Sequence, residues 1–293
     1  MNKCLRQKAR IGHDRRKAAD ETWITLLRRY RLGSLAFPWA LGLSRSGLVI
    51  CVMSAIAALS SGADAQNREA LWGVVQACRL NHAVTGAAFP CLSVNVSEGV
   101  ERGYVILRPP LGEDFILAPT RKIVGVEDAW LEAADAPNYF DDAWNARAVL
   151  AARGRAPPPR DEVALAVNSR LARTQDQLHI HIGCISNEAK RSIEAIEPEL
   201  SPTRWRRLEK PIAGFLFWAR RIDQDTLAGV NPFRLALEGL PVASEDRGNV
   251  TIVVAGARSV QGRDGFVLLV AIDDRFRPGS SRAGTDLLDR SCP

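Results

Sequence analysis

Short apolar runs that occur in pairs constrain the fold of this 293-residue chain most strongly. Each run has the length of a β-strand, and a few polar residues separate the members of a pair. Such pairs predict hairpins, and successive hairpins predict an antiparallel sheet. The pairs are 103–109 with 114–120, 162–169 with 177–185, and 249–257 with 265–273, and a further strand is expected at 214–222.

Three stretches instead repeat their apolar residues at helical spacing. The first begins near residue 67 and is expected to end near Cys78, and the others cover 137–154 and 232–240. Together with the paired strands, they predict an α+β domain over 66–293. Because strands and a helix recur in a similar order, this domain is predicted to consist of two similar halves, 66–200 and 201–293.

The positive charge of the chain is concentrated at its amino-terminal end. The net charge is +6, yet residues 1–46 hold 11 Lys and Arg against 3 Asp and Glu, whereas residues 66–293 hold 28 against 29. A nearly neutral body without a dense basic patch does not favour nucleic acid as a partner. We expect residues 1–45 to form a disordered basic arm.

An uncharged stretch from Ser46 to Ala63 follows this arm. The preceding arginines, the short apolar region and the A-x-A spacing of Ala63 and Ala65 are typical of a signal peptide. Eighteen uncharged residues also come close to the roughly 20 that a membrane-spanning helix needs. We therefore predict export, with residues 46–65 either cleaved after Ala65 or kept as a membrane anchor.

Export would leave four cysteines in an oxidising compartment, and these are Cys78, Cys91, Cys184 and Cys292. Cysteines in such a compartment predict disulfides, and four of them allow three pairings. Cys78 and Cys91, separated by a loop that contains Gly86 and Pro90, are the expected local pair.

The run QLHIHIG, residues 177–183, contains two of the four histidines of the chain. Alternate side chains of a strand point to opposite faces, so Gln177, His179 and His181 are expected on one face, opposite an apolar face. Two imidazoles in this arrangement suit a metal site with a further ligand, nucleophilic attack on phosphorus by one histidine, or a structural role on the sheet. The spacing alone leaves all three open.

A polar loop leads into the histidine strand and favours a phosphate ligand. Arginine grips phosphate with two parallel hydrogen bonds, while hydroxyl and amide groups add neutral donors. Asp176 is the one acidic residue in this loop, which does not favour a metal site. The candidate phosphate-binding residues are Asn168, Ser169, Arg170, Arg173, Thr174 and Gln175.

These motifs resemble those of a known family. QLHIHIG is similar to the histidine-triad motif, in which histidines alternate with apolar residues, and LAPTRKI (117–123) resembles the second-strand segment of that fold. More closely, the chain resembles the CDP-diacylglycerol pyrophosphatase family over about residues 70–290. The segments that carry this resemblance are GYVIL, APTRKIVG, PNYFDDAWNAR, LAVNSRLARTQDQLHIHIGCI and FVLL.

The resemblance implies a role for each position of the histidine strand. His179 falls on the middle, nucleophilic histidine and His181 on the third, whereas Gln177 replaces the first. A glutamine side chain forms hydrogen bonds but carries no charge at neutral pH. Gln177 and the polar loop are therefore expected to contact substrate, and the histidine-triad fold implies an antiparallel sheet with helices.

The implied activity is the hydrolysis of CDP-diacylglycerol to CMP and phosphatidate through a nucleotidyl-histidine intermediate, with no metal or other cofactor. A lipid-linked nucleotide substrate implies a role in phospholipid metabolism at a bacterial-type membrane. We expect an inner-membrane anchor with the body on the periplasmic side, or a cleaved periplasmic form. The alternatives are a soluble nucleotide pyrophosphatase or nucleotidyl transferase with the same nucleophile, and a non-catalytic metal- or nucleotide-binding module.

Overall fold

A computed structural model describes most of the body of the chain. It covers residues 68–109, 114–151, 156–240, 244–258, 264–273 and 283–289, together with residue 292. The predicted basic arm and the hydrophobic segment 46–65 lie outside the described residues.

The described strands form a 10-stranded sheet in which every pairing is antiparallel. The order across the sheet is β1-β2-β3-β5-β4-β8-β9-β7-β6, and β10 pairs with β5 beyond the end of β3. The strands are β1 (Ser93–Asn95), β2 (Tyr104–Leu107), β3 (Phe115–Pro119), β4 (Val163–Val167), β5 (Ile180–Ile185), β6 (Arg206–Arg207), β7 (Trp218–Ile222), β8 (Val250–Arg258), β9 (Asp264–Ile272) and β10 (Leu288–Asp289).

All three predicted strand pairs are confirmed, because β2 pairs with β3, β4 with β5, and β8 with β9. The histidine strand begins later than predicted, at Ile180 rather than residue 177. The reason is that the backbone N–H of Leu178 bonds to the carbonyl of Ile123, 2.6 Å away, in the loop after β3. His179 therefore lies just outside the regular strand.

Four α-helices accompany the sheet in the described part of the chain. They are α1 (Ala70–Thr85), α2 (Tyr139–Asn145), α3 (Asn187–Ile196) and α4 (Pro232–Glu238). Short 3-10 helices cover Ala129–Glu132, Ala146–Leu150, Arg160–Glu162, Glu197–Glu199, Ser244–Asn249 and Gly284–Leu287. Within the described ranges, none of the helices combines the length and the apolar character needed to cross a bilayer.

Two predicted helix boundaries are wrong. Helix α1 continues beyond Cys78 to Thr85 and ends where Gly86 adopts a left-handed conformation, with φ of 77°. Glycine adopts this conformation without a steric penalty, which makes it a common helix terminator. The single helix expected over 137–154 changes at Ala146 from an α-helix to a 3-10 helix.

The two faces of the sheet are covered differently. One face packs against α2 and α4 in a large apolar cluster, in which the rings of Phe140 and Phe233 lie 4.8 Å apart. The opposite face carries two separate apolar clusters. The first lies between α1 and strands β2 and β3, and the second lies between α3, residues 208–217 and strands β4, β8 and β9.

The predicted halves contribute strands to the same sheet. In each half a strand, a helix and a hairpin follow one another, as β3–α2–β4–β5 and as β7–α4–β8–β9. The halves meet where β4 pairs with β8, and Ala166 lies opposite Val253. Their common order is compatible with an internal duplication, which remains a prediction.

Two disulfides lie near the two ends of the described chain. Cys78 of α1 is bonded to Cys91, which confirms the predicted local pair. Cys184 of β5 is bonded to Cys292, 108 residues away. The second bond fixes the carboxyl-terminal region to the histidine strand.

Candidate functional site

The histidines lie at the gap between the two apolar clusters on one face of the sheet. His181 of β5 pairs with Ile116 of β3 on one side and with Ala166 of β4 on the other. Directly opposed residues of antiparallel strands present their side chains on the same face. Because Ile116 belongs to the α1 cluster and Ala166 to the α3 cluster, His181 marks the boundary between the clusters.

The row of cross-strand partners that contains His181 crosses eight strands. In sheet order, the row is Leu107, Ile116, His181, Ala166, Val253, Leu269, Ala219 and Arg206. The other interior members are buried and apolar, whereas His181 is partly exposed. This row therefore has one interior position at which a polar group reaches solvent.

The ring of His179 is oriented by the backbone. Its Nδ1 lies 2.8 Å from the carbonyl oxygen of Gln177. A carbonyl accepts a hydrogen bond but cannot donate one, so Nδ1 carries the proton and Nε2 carries the lone pair of the neutral ring. Burial, together with nearby His181, lowers the pKa of His179 to about 4. The imidazole is therefore neutral at physiological pH, with a lone pair on Nε2.

His181 is oriented by a carboxylate. Its Nδ1 forms a hydrogen bond with Asp114, which immediately precedes β3. Burial tends to raise the pKa of Asp114, but the hydrogen bond and charge of His181 outweigh this effect, and the net pKa lies below its usual value. The charged carboxylate keeps the proton on Nδ1, while Nε2 is buried with no hydrogen-bond partner among the described residues. The rings of His179 and His181 are 4.9 Å apart between centroids.

Arg173 lies near His179, but its guanidinium is already paired with two carboxylates. Both terminal nitrogens donate to Glu127, over 2.6 and 2.7 Å, and Nε lies 3.3 Å from Asp176. Asp176 in turn accepts two hydrogen bonds from Arg68. A Cβ atom on Gly125 would lie 2.0 Å from Arg173 Nη1, so the backbone passes directly against this ion pair. Arg173 is thus a buried structural cation whose charge also lowers the pKa of His179.

The remaining loop candidates have different environments. The Oε1 atom of Gln175 accepts a hydrogen bond from the backbone N–H of Leu71, 2.8 Å away, and thereby links the loop to α1. Thr174 is exposed. Arg170, another candidate from the sequence, is also exposed, and one of its nitrogens donates to Asn249 over 3.1 Å.

Asn168 and Ser169 are buried at the end of β4. The Oδ1 atom of Asn168 accepts a hydrogen bond from the backbone N–H of Gly284, 2.7 Å away, and Ser169 donates to Asp273. Burial raises the pKa of Asp273 to about 6, although the bond from Ser169 opposes this shift. Asn168 and Ser169 therefore join the end of β4 to the segment at Gly284 and to the residue that follows β9.

Gln177 is fully buried, and its amide is engaged by backbone groups. Its Nε2 donates to the carbonyls of Pro119 and Arg121, over 3.0 and 2.9 Å. The N–H of Ile123 donates to its Oε1 over 3.4 Å. Gln177 thus fastens the loop after β3 to the start of the histidine strand, a positioning role that the expected substrate contact did not include.

Sequence reasoning did not select the carboxylates Asp114 and Glu127, although both contact predicted site residues. Asp114 lies 67 residues from His181 in the chain, and Glu127 lies 46 residues from Arg173. The position of Asp114 at the edge of an apolar run was the available signal. Among the described residues, no group of three His, Cys, Asp or Glu side chains is arranged to hold a metal ion.

Comparison with known proteins assigns the chain to a family. The family model described as CDP-diacylglycerol pyrophosphatase matches residues 66–293. A CDP-diacylglycerol pyrophosphatase of Yersinia pestis is 32% identical over 228 residues, which cover 77% of this chain and 84% of that protein. The chain therefore belongs to the CDP-diacylglycerol pyrophosphatase family and is a hydrolase.

Proposed function

We propose that the protein hydrolyses CDP-diacylglycerol to CMP and phosphatidate through a covalent intermediate on His179. Membership of the family supports the substrate and the reaction. The observation that carries the mechanism is the orientation of His179. Its Nδ1 is bonded to the Gln177 carbonyl, and its lowered pKa keeps the ring neutral.

In the first step, Nε2 of His179 attacks the phosphorus that carries the cytidine. A nitrogen–phosphorus bond forms while the bond from that phosphorus to the bridging oxygen breaks. The bridging oxygen keeps the electron pair and leaves with phosphatidate. A covalent intermediate of this kind divides one difficult displacement into two easier steps.

In the second step, water attacks the same phosphorus, the nitrogen–phosphorus bond breaks, and CMP leaves with the oxygen of that water. We assign the movement of the water proton to His181, because its ring contacts that of His179 and its Nε2 has no partner among the described groups. Asp114 is the positioning residue that keeps the Nδ1 proton in place. General acid–base catalysis typically contributes about 10²- to 10⁴-fold to such a rate.

The phosphate oxygens of the substrate require hydrogen-bond donors that carboxylates of the protein do not already pair with. Arg173 is bonded to Glu127, so we assign it to placing the loop and keeping His179 neutral. Exposed Thr174 and Arg170 belong to the same loop, and we assign them to the phosphate groups. Gln177, Asn168, Ser169 and Gln175 are assigned to positioning because of their intramolecular bonds.

The histidine-triad relationship and the location of the protein are part of the same proposal. Two oriented histidines, one on an antiparallel strand and one just before it, support the relationship. The bonds Cys78–Cys91 and Cys184–Cys292 favour an oxidising compartment. We therefore propose that the body faces the periplasm, either anchored to the inner membrane by residues 46–65 or released after cleavage.

The test compares the wild type with His179→Ala on CDP-diacylglycerol dispersed in detergent. We expect CMP release by the variant to fall by at least about 10³-fold, because the nucleophile is lost. Rapid alkaline quench, which preserves the acid-labile nitrogen–phosphorus bond, followed by mass spectrometry should detect a cytidylylated peptide containing residue 179 only in the wild type. His82→Ala is the matched control and should retain activity.

Thermal unfolding of His179→Ala should resemble that of the wild type, so that a loss of activity cannot be attributed to a loss of folding. Turnover by this variant at the wild-type rate would contradict the mechanism. Failure of the wild type to release CMP would contradict the activity itself.

A further inference from the structure

The solvent-facing side of α1 is apolar. Leu71, Val75 and Cys78 face the core. The opposite side of the helix presents Gly73, Ala77, Leu80 and Val84, all of which are exposed. A helix on the surface of a globular protein usually carries charged or polar residues on its outer face. The outer face of α1 therefore lacks the residues that normally keep such a surface in water.

The loop after α1 extends the same surface. Four exposed side chains define the apolar patch, and they are Leu80 (67% exposed), Val84 (74%), Phe89 (77%) and Leu92 (56%). The other exposed large apolar residues in the described part of the chain, Val100, Val124, Leu171 and Leu216, are less exposed, at 40–49%, and are far apart in the sequence. A contiguous exposed apolar group usually marks a binding surface, whereas isolated apolar residues are ordinary.

The patch is held in a defined shape. The disulfide between Cys78 and Cys91 closes the loop against the helix. The Asn81 side chain donates to the carbonyl of Phe89 over 2.8 Å, so it fixes the loop tip against α1. The disulfide and this hydrogen bond therefore hold the loop and the helix together before any partner binds.

The segment that carries the patch has no acidic residue and a single positive charge. From Ala70 to Ser97 the chain contains no Asp or Glu, and the one charged residue, Arg79, donates from Nη1 to the carbonyl of Thr120 over 3.0 Å. Apolar side chains together with nearby positive charge are the combination that binds anionic lipid interfaces. The absence of carboxylates from this sequence removes repulsion by phosphate headgroups.

The patch also has a suitable position relative to the histidines. Helix α1 packs on Ile116 and Ala118 of β3, on the sheet face to which His181 points. The sequence just before α1 contains the uncharged stretch 46–63, whose predicted role is to enter the bilayer. Contact of the patch with a membrane would thus bring the histidine face toward the lipid headgroups.

We propose that the apolar patch inserts into the interface of an anionic phospholipid bilayer and presents the histidine site to substrate lying in that bilayer. This inference rests on the proposed function, because it requires a lipid-linked substrate. It adds a docking surface within the folded body, distinct from the predicted amino-terminal anchor.

The first test measures turnover of two forms of CDP-diacylglycerol by the full chain and by a Leu80→Glu/Phe89→Glu variant. One form is long-chain substrate in vesicles of phosphatidylglycerol and phosphatidylethanolamine, and the other is a short-chain form dissolved as monomers. We expect the apparent KM for the vesicle form to rise about tenfold, because two apolar contacts with the bilayer are lost. Turnover of the monomeric form should stay within about twofold, because catalysis itself does not use these side chains.

Leu216→Glu is the matched control, because Leu216 is similarly exposed, at 49%, but lies outside the patch. This variant should turn over both forms as the wild type does. An unchanged KM for vesicle substrate in the double variant would overturn the docking proposal. If the wild type turns over neither form, the proposed function fails instead, and the second test still decides whether the patch docks.

The second test introduces a fluorescent side chain by Phe89→Trp, with Leu216→Trp as the control. Vesicles whose acyl chains carry bromine should quench the added emission of Phe89→Trp but not that of Leu216→Trp. Equal quenching of the two would overturn the proposal. A lipid-free dimer that dissociates on Leu80→Glu would also overturn it, because a second copy would then be the occupant of the patch.

Discussion

Strands β5 and β9 occupy comparable places in the sheet but have different surroundings. Each forms a hairpin with a strand of the central pair, β4 or β8, and each is bordered on its other side by an earlier strand, β3 or β7. In the row of partners that crosses the sheet, His181 of β5 corresponds to Leu269 of β9, on either side of Ala166 and Val253. Leu269 is fully buried, whereas His181 is partly exposed.

The difference lies in what covers each strand. Residues 208–217 and α3 close the sheet face over β9, where Phe217 and Val267 belong to one continuous apolar cluster. In the row that contains His181, that cluster ends at Ala166 of β4 and the α1 cluster begins at Ile116 of β3. The sheet is antiparallel throughout. Nevertheless, an apolar core covers its face at β9, whereas the same face carries a polar site at β5.

Exchanging the side chains of the two strands tests this contrast, and Leu269→His should have the largest effect. The substitution removes apolar contacts and buries an imidazole without a partner, so the free energy of unfolding should fall by about 4 kcal/mol. Chemical denaturation measures this loss. A stable Leu269→His protein would show that the β9 face is less closed than the structure indicates.

The reverse exchange, His181→Leu, should mainly affect catalysis. CMP release should fall by about 10²-fold, because the group assigned to proton movement is lost. The free energy of unfolding should change by less than about 1.5 kcal/mol, because Asp114 retains access to water. A loss of stability as large as that of Leu269→His would assign His181 to the core rather than to the site.

A smaller effect on stability is expected from Gln177→His, a substitution in the segment that leads into the histidine strand. Replacing Gln177 with His would restore the first histidine of the histidine-triad motif. The imidazole ring, however, cannot make all the hydrogen bonds that the Gln177 amide makes with the backbone. We expect a loss of about 1–3 kcal/mol in the free energy of unfolding. CMP release should not increase, because the side chain at position 177 lies against backbone groups of the loop after β3. Increased CMP release would instead place residue 177 in contact with substrate.

The least disruptive test of the contrast changes only pH. The pKa of His179 is lowered to about 4, so the nucleophile should stay neutral as pH falls from 7 to 5 and should become protonated near pH 4. An imidazole with its ordinary pKa of about 6.5 would lose activity earlier. The measurement is kcat/KM for the monomeric substrate, and an acid limb governed by His179 near pH 6.5 would contradict the lowered pKa.

The same shift predicts the sign of a pH effect on stability. Below about pH 6.5 an unfolded histidine takes up a proton that folded His179 does not bind until about pH 4. His179 therefore costs stability increasingly as pH falls through this window and has no such effect above it. Relative to the wild type, His179→Ala should lose less stability between pH 6.5 and pH 4 in denaturation experiments.

Local patterns in the sequence predicted the strand pairs, the histidine face and the Cys78–Cys91 bond, because each depends on residues close together in the chain. They did not predict the ion pair between Glu127 and Arg173, or the hydrogen bonds from Gln177 to the loop after β3. These contacts join residues 46 or more positions apart. Such contacts depend on which strands become neighbours.

The alternation of His179 and His181 with apolar residues determined that the two imidazoles would lie on the same side of an extended segment, of which His179 just precedes β5. Strand periodicity requires this arrangement in any sheet that contains the segment. Tertiary structure decided that this face lies at a gap between two cores, with Asp114 against His181 and the Gln177 carbonyl against His179. Strand order and register brought distant residues to the histidines and thereby set the protonation and orientation of each ring.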